Sequence, residues 1–249
     1  MKAMILAAGL GTRLRPLTDN RPKALVKVAG RTLLEITLAR LRAFDVREVI
    51  INVHHFADEI VRFLKANDKF GMRIEISREE VLLDTGGGLK KAAWFFFEDT
   101  ASRDESFILH NVDVISTVDL VKMVAAHESN DALATLAVQK RESGRQLLFD
   151  EHLQLCGRRA GRDREPEIVR PSPRFESLAF SGIHIISPRL LSMMSEEGAF
   201  SIVASYLQLA GHGEKILGFR TDQYYWRDLG RVEDLQQAEH DLAQRVVVQ

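Results

Sequence analysis

An apolar segment, Lys2 to Ala8, runs without interruption into Gly9-Leu10-Gly11-Thr12-Arg13-Leu14-Arg15-Pro16. A buried strand that ends at two closely spaced glycines predicts a turn where backbone N–H groups approach a phosphate without interference from Cβ atoms. Arg13 and Lys23, the second within Pro22-Lys23, add fixed positive charge beside that turn. The combination points to a triphosphate pocket at the end of the first strand of an α/β sheet.

Two other glycine loops are excluded. No stretch supplies the G-x-x-x-x-G-K-[ST] of a Walker loop. A dinucleotide fingerprint needs a third glycine where Leu14 stands, and Glu35 falls inside a predicted helix instead of at a strand end. A bare Gly-x-Gly reads equally well as a sterically convenient turn. The Thr12-Arg13-Leu14-x-Pro16 continuation, with Pro22-Lys23, turns the reading toward phosphate.

The 249 residues suit one α/β domain, with a nucleotide-binding half over about 1–130 and a substrate half over about 131–249. A net charge of −1 offers no general attraction to nucleic acid or anionic membrane, so phosphate binding must be local. The single cysteine, Cys156, cannot form an internal disulfide. It is read as a small apolar residue in a protein of the reducing cytoplasm. The amino-terminal apolar stretch meets a glycine-arginine loop instead of a small-residue cleavage site, so no signal peptide is expected. No run approaches the roughly twenty apolar residues of a membrane span. No hydrophobic tail or extra domain suggests obligate assembly, and a monomer is expected.

Strand and helix signals alternate through the first half, as in a parallel sheet with helices on both faces. Thr32-Leu33-Leu34-Glu35 reads as a capping box opening a helix to about Phe44. A strand is expected over Glu48 to Val53, a helix over Ala57 to Ala66 and a strand over Met72 to Ser77. Gly86-Gly87-Gly88 is expected to open a helix through Phe97. A fourth strand, Ser106 to His110, ends at Asn111-Val112-Asp113. Asp131 to Gln139 reads as a strand, and the polar Gly144 to Pro173 as short antiparallel strands with a mobile loop. A strand over Leu178 to Ile186, a helix over Ser201 to Leu209, a strand over Lys215 to Arg220 and a helix from Val232 follow. His54-His55 lacks companion spacing for zinc and is assigned to a strand end, with a place on the pocket wall left open.

Leu6-Ala7-Ala8-Gly9-x-Gly11-Thr12-Arg13-Leu14-x-Pro16 with Pro22-Lys23 resembles the signature of the sugar-1-phosphate nucleotidylyltransferases, and the resemblance extends over essentially the whole chain. Asp84-Thr85-Gly86-Gly87-Gly88, Phe180-Ser181-Gly182 and Trp226-x-Asp228-x-Gly230 are similar to the uridylyltransferase branch that uses N-acetylmuramate 1-phosphate. The resemblance implies a Rossmann-like, mainly parallel mixed sheet flanked by helices, with a small sugar-binding lobe. It implies that Leu6, Ala7, Ala8, Gly9, Gly11 and Thr12, with Asp84, Thr85 and Gly86, hold the nucleotide. Arg13 and Lys23 would act on the triphosphate and the attacking phosphate as catalytic cations. Asp113 and Asp228 would be the carboxylates for Mg2+, and Asn111, Ser181 and Gly182 would face the sugar phosphate.

Taken singly, Asp113 reads as a helix cap and Asp228 as a turn former. Their coincidence with Arg13 and Lys23 at the family's positions favours the site. The chain also departs from the family. Val112 stands where a glycine is usual, so either the backbone differs there or the sugar pocket is narrower. The Glu-Lys-Pro motif of the thymidylyltransferase branch is absent, with Val169-Arg170-Pro171 the nearest stretch. Phe200-Ser201 is followed by Ile202-Val203 instead of Asn-Pro. The expected reaction joins an NTP, best UTP, to a sugar 1-phosphate, best N-acetylmuramate 1-phosphate, in cell-wall recycling. Mannose- or heptose-1-phosphate guanylyl transfer is the alternative within the class, and a non-catalytic sugar-nucleotide sensor the alternative outside it.

Overall fold

The computed structural model describes residues 1–98, 104–161 and 164–244. Its centre is four parallel strands in the spatial order β6-β1-β4-β5: β1 (Lys2–Leu6), β4 (Glu48–Val53), β5 (Arg73–Arg78) and β6 (Phe107–Asn111). The chain steps from β1 to β4 to β5 on one side, then returns to pair β6 on the other side of β1. In open α/β sheets, ligands bind in the crevice outside the carboxyl ends of strands where the order reverses in this way. Here that crevice lies between the ends of β1 and β6.

Period-two alternation puts neighbouring residues of one strand into opposite cores. Ala3 and Ile5 face the core formed with Leu34, Leu38 and Leu41, while Met4 faces the core containing Leu89, Phe95 and Phe96. The first face is covered by α1 (Leu33–Ala43), α2 (Ala57–Ala66), α5 (Leu120–Ser129) and α8 (Val232–Ala243). The second is covered by α3 (Asp84–Lys91), α4 (Trp94–Phe97), α6 (Arg189–Met193) and α7 (Ile202–Gly211). The capping box of α1 forms as expected, with the Glu35 N–H donating to Thr32 Oγ1 at 3.1 Å.

The sheet then becomes mixed. β12 (Glu176–Ile186) runs antiparallel to β6 and pairs with both β8 (Ala134–Gln139) and β9 (Arg145–Phe149). β10 (Leu155–Ala160) and β11 (Glu167–Ile168) extend it beyond β9, and β13 (Ile216–Arg220) runs parallel to β8. The polar region over 144–173 therefore does hold antiparallel strands. Residues 162 and 163 of its predicted loop lie outside the described residues. Cys156 is fully buried, as its reading as a small apolar residue requires. His54 directly follows β4, the expected strand end, and its Nδ1 lies 2.9 Å from the Glu79 carbonyl.

The helix expected over Gly86 to Phe97 is corrected: α3 begins at Asp84 and stops at Lys91, and α4 resumes at Trp94. Two small two-stranded units also carry no expectation from the sequence. One joins β2 (Lys27–Val28) to β3 (Arg31–Thr32), and the other pairs β7 (Val114–Ser116) with β14 (Trp226–Asp228).

Candidate active site

A cleft of about 470 Å³ opens at the crevice between β1 and β6. One wall is the glycine turn, from Leu6 through Gly9 and Gly11 to Arg13, with Lys23 behind it. Gly11 adopts φ +66°, and a Cβ there would meet Thr18 Cγ2 at 3.0 Å and Lys23 Cβ at 3.1 Å. The glycine thus supplies a left-handed turn and also lets the loop close onto the lysine stem. The Thr18 hydroxyl fixes the turn by donating to the Gly11 carbonyl at 2.9 Å.

The opposite side is made by Asn111, the last residue of β6, and by Val112 and Asp113 directly after it. Lys23 Nζ forms an ion pair with Asp113 Oδ2, and both side chains are largely buried. Asp228 reaches the same place because β14 pairs antiparallel with β7, setting Asp228 opposite Val114. The Leu229 N–H locks this register by donating to the Asp113 carbonyl at 2.8 Å, and Leu229 is fully buried. Gly230 lines the cleft at the junction: a Cβ built on it would lie 2.5 Å from Arg13 Nη2 and 2.6 Å from Asp228 Oδ1. Four charged groups far apart in sequence therefore meet at the mouth of the glycine turn.

Burial pushes the Asp228 carboxyl up from its ordinary pKa, and the neighbouring Asp113 charge adds to the rise; Lys23 and Arg13 oppose it. Asp228 Oδ1 is buried with no hydrogen-bond partner among the described residues. A buried carboxylate oxygen left unpaired is costly and calls for a cation. Two hard oxygen donors, with substrate phosphates and water completing the shell, suit magnesium. Among the described residues no group of three or more His, Cys, Asp or Glu side chains is arranged to hold a metal. Any ion here would share its shell with the substrate.

The remaining residues divide. Asp84 and Thr85 line the cleft, and Asp84 adopts a left-handed φ of +57°. The Thr85 hydroxyl accepts the Ile202 N–H at 3.0 Å, however, and the Gly86 N–H donates to the Phe200 carbonyl at 2.9 Å. A Cβ on Gly86 would overlap the Phe200 ring, so this glycine serves the packing of α3 against the chain leading into α7. Ser181 is fully buried behind the wall. Gly182, at φ +75°, leaves room for Asn111: a Cβ there would stand 2.8 Å from Asn111 Nδ2. Gly182 thus acts from behind the lining residue Asn111. Val112 keeps a negative φ, donates its N–H to the Leu6 carbonyl at 3.1 Å and lines the cleft. Valine thus fits this backbone without strain and takes up space in the cleft.

The sequence reading missed Asn52, which lines the cleft from the end of β4. Its Oδ1 accepts the Ala7 N–H at 2.8 Å, and its Nδ2 donates to Glu79 Oε1 at 2.7 Å. Glu79 Oε2 in turn accepts the Leu83 N–H at 2.9 Å. A lone polar residue in the apolar run Val49-Ile50-Ile51-Asn52-Val53 was the available signal.

Comparison with known proteins shows the family of the chain. The family described as nucleotidyl transferase matches residues 2–146. The N-acetylmuramate alpha-1-phosphate uridylyltransferase of Caulobacter vibrioides is 37% identical over 217 residues, covering 85% of each chain. The UTP–glucose-1-phosphate uridylyltransferase of Synechocystis is 27% identical, covering 96% of this chain and 62% of that protein. The crystal structure of HddC from Yersinia pseudotuberculosis complexed with GMP-PN superimposes with a TM-score of 0.76 at 21% identity. That match covers 97% of this chain and 99% of the other, and shows a shared fold.

Proposed function

The chain belongs to the nucleotidyl transferase family, among the sugar-1-phosphate nucleotidyltransferases, and from that premise we propose that it joins UTP to N-acetylmuramate 1-phosphate. The products are UDP-N-acetylmuramate and pyrophosphate, a reaction that returns a cell-wall sugar to the nucleotide-sugar pool. The observation that carries the catalytic reading is the meeting of Asp113, Asp228, Lys23 and Arg13 at the glycine turn. The uridylyl and N-acetylmuramyl specificities rest on the likeness to the Caulobacter relative.

A sugar 1-phosphate is an anion at neutral pH and needs no general base. One of its phosphate oxygens attacks the α-phosphorus in line; the new P–O bond forms as the bond to the bridging oxygen of pyrophosphate breaks. The obstacle is repulsion between two phosphates, and fixed positive charge across both lowers it. Lys23, anchored on Asp113, holds that charge in place, and Arg13, beside Gly230, adds a second one. Backbone from Leu6 to Thr12 would receive the nucleotide. A divalent cation held by Asp113 and Asp228 would neutralise charge on the transferring phosphate oxygens. The 1–130 half would then bind the nucleotide and the 131–249 half the sugar phosphate.

The test is pyrophosphate release measured for four NTPs against a panel of sugar 1-phosphates. UTP with N-acetylmuramate 1-phosphate is expected to give the highest kcat/KM. A higher value for UTP with glucose 1-phosphate, or for GTP with mannose 1-phosphate, would replace the substrate assignment. Release from no pair would overturn the catalytic one.

A further inference from the structure

Arg141 follows β8 and has no part in the site described so far. Its guanidinium carbon lies 3.8 Å from the centroid of the Trp226 ring, and Nη2 donates to the Phe180 carbonyl at 2.7 Å. Its Nε is buried without a hydrogen-bond partner among the described residues. Two other half-buried arginines of this half are paired with carboxylates: Arg227 with Asp241 at 3.0 Å, and Arg220 with Glu176 at 2.7 Å. No described carboxylate pairs with Arg141. A half-buried guanidinium held on an aromatic face, with most of its donors uncommitted, is a receptor for a carboxylate or a phosphate.

The fold brings this cation near Asp228, beside the cleft. Trp226 and Asp228 stand two apart on β14 and so project to the same side of that strand. The Asp228 charge acts on Arg141 in consequence, opposing the effect of burial, which lowers the pKa of the guanidinium. Trp226 Nε1 donates to the Ser181 carbonyl at 2.7 Å, and Ser181 precedes Gly182, against which Asn111 packs. A continuous wall therefore runs from Asn111 through Gly182, Ser181 and Trp226 to Arg141. This wall belongs to the end of β6, to β12 and β14, and to the chain just after β8. Asn52, Glu79 and Asp84 lie across β1 from it.

We propose that Arg141 binds an anionic group of the sugar 1-phosphate, held for that purpose by the Trp226 ring and the Phe180 carbonyl. The inference rests on the reading of the protein as a sugar-1-phosphate nucleotidyltransferase and adds a residue specific to the sugar side. N-acetylmuramate 1-phosphate carries two such groups, its phosphate and its lactyl carboxylate, and a planar guanidinium matches both. Arg141 adds positive charge on the sugar side to that of Lys23, which is paired with Asp113.

The experiment compares Arg141→Met and Arg141→Lys with wild type, measuring KM for each substrate separately with the sugar 1-phosphate that wild type uses fastest. Losing a charge-assisted contact of about 1.5–3 kcal/mol raises KM for the sugar 1-phosphate about tenfold or more. KM for the nucleotide is expected to stay within about twofold, with Arg141→Lys intermediate. Inhibition by N-acetylglucosamine 1-phosphate, which lacks the carboxylate, separates the two sources. Inhibition weakened in parallel with KM assigns the contact to phosphate, and unchanged inhibition assigns it to carboxylate. An unchanged sugar KM, or an equal rise in both KM values from a displaced Trp226, would overturn the inference. If Arg141→Met melts early, Arg141→Lys decides by the same split. A different preferred sugar would revise the substrate reading alone.

Discussion

The side chain of Asn52 joins the two sides of the nucleotide half: it accepts the Ala7 N–H at 2.8 Å and donates to Glu79 Oε1 at 2.7 Å. Ala7 opens the glycine turn, and Glu79 holds the Leu83 N–H just before Asp84. All of this lies within the fold, with Asn52 2% and Glu79 5% exposed. Asn52→Ala leaves the Ala7 N–H and a Glu79 oxygen unpaired, at about 1–3 kcal/mol for each buried group. Urea unfolding is expected to report that loss, and KM for the nucleotide to rise. Asn52→Asp should be worse, because it faces one carboxylate with another. Wild-type stability in both variants would remove this contact from the architecture of the site.

Asp228→Asn separates catalysis from stability. Turnover should fall by a factor on the order of a hundred or more, since a charge-stabilising oxygen is removed from the reacting phosphates. The folded carboxyl has a raised pKa, so its ionisation disfavours the metal-free fold as pH rises through that value. At neutral pH without divalent cation, the asparagine variant should melt at or above the wild-type temperature. A variant that melts well below wild type would mean that the carboxylate is a structural partner instead.

Gly230→Ala is expected to cost activity more than stability. The added methyl group would stand 2.5 Å from Arg13 Nη2 and 2.6 Å from Asp228 Oδ1, and the flexible, exposed Arg13 side chain can move away. Melting should change by a few degrees or less, while kcat falls with Arg13 displaced. Retained kcat would show that the position of Arg13 beside Gly230 does not matter for turnover.

Three histidines are buried in neutral form. Burial lowers His110 to about 4, helped by Arg40; it lowers His127 to about 4, helped by Arg189; and it lowers His184 to about 3, helped by His110. The unfolded chain binds these protons near pH 6.5, so stability is full above that value and falls as pH drops toward the folded values. At pH 5 each histidine subtracts about 2 kcal/mol at most. Melting temperature should therefore decline from pH 7 to pH 5, and His127→Gln should flatten the slope. Identical slopes in the two proteins would remove His127 from the cause.

The core of the fold was readable because it repeats short-range patterns. The continuous apolar Lys2–Leu6 strand, the Thr32–Glu35 capping box and the spacing of Ile60 and Leu64 each depend on residues within a few positions of one another. The glycine turn with Arg13 and Lys23 was readable for the same reason, and the family pattern added Asp113 and Asp228.

What stayed hidden in the linear order is which side chains face one another. The pairing of β7 with β14 brings Asp228 to Asp113, and no local rule fixes the register of strands more than a hundred residues apart. Gly86 reads as part of the nucleotide site, yet Phe200 fills the space beside it. Asn52, embedded in an apolar strand, shows its purpose only once Ala7 and Glu79 are beside it, and Arg141 only once Trp226 is beneath it. Local propensity and motif chemistry act along the chain; hydrogen-bond satisfaction and steric exclusion act across the space that folding encloses.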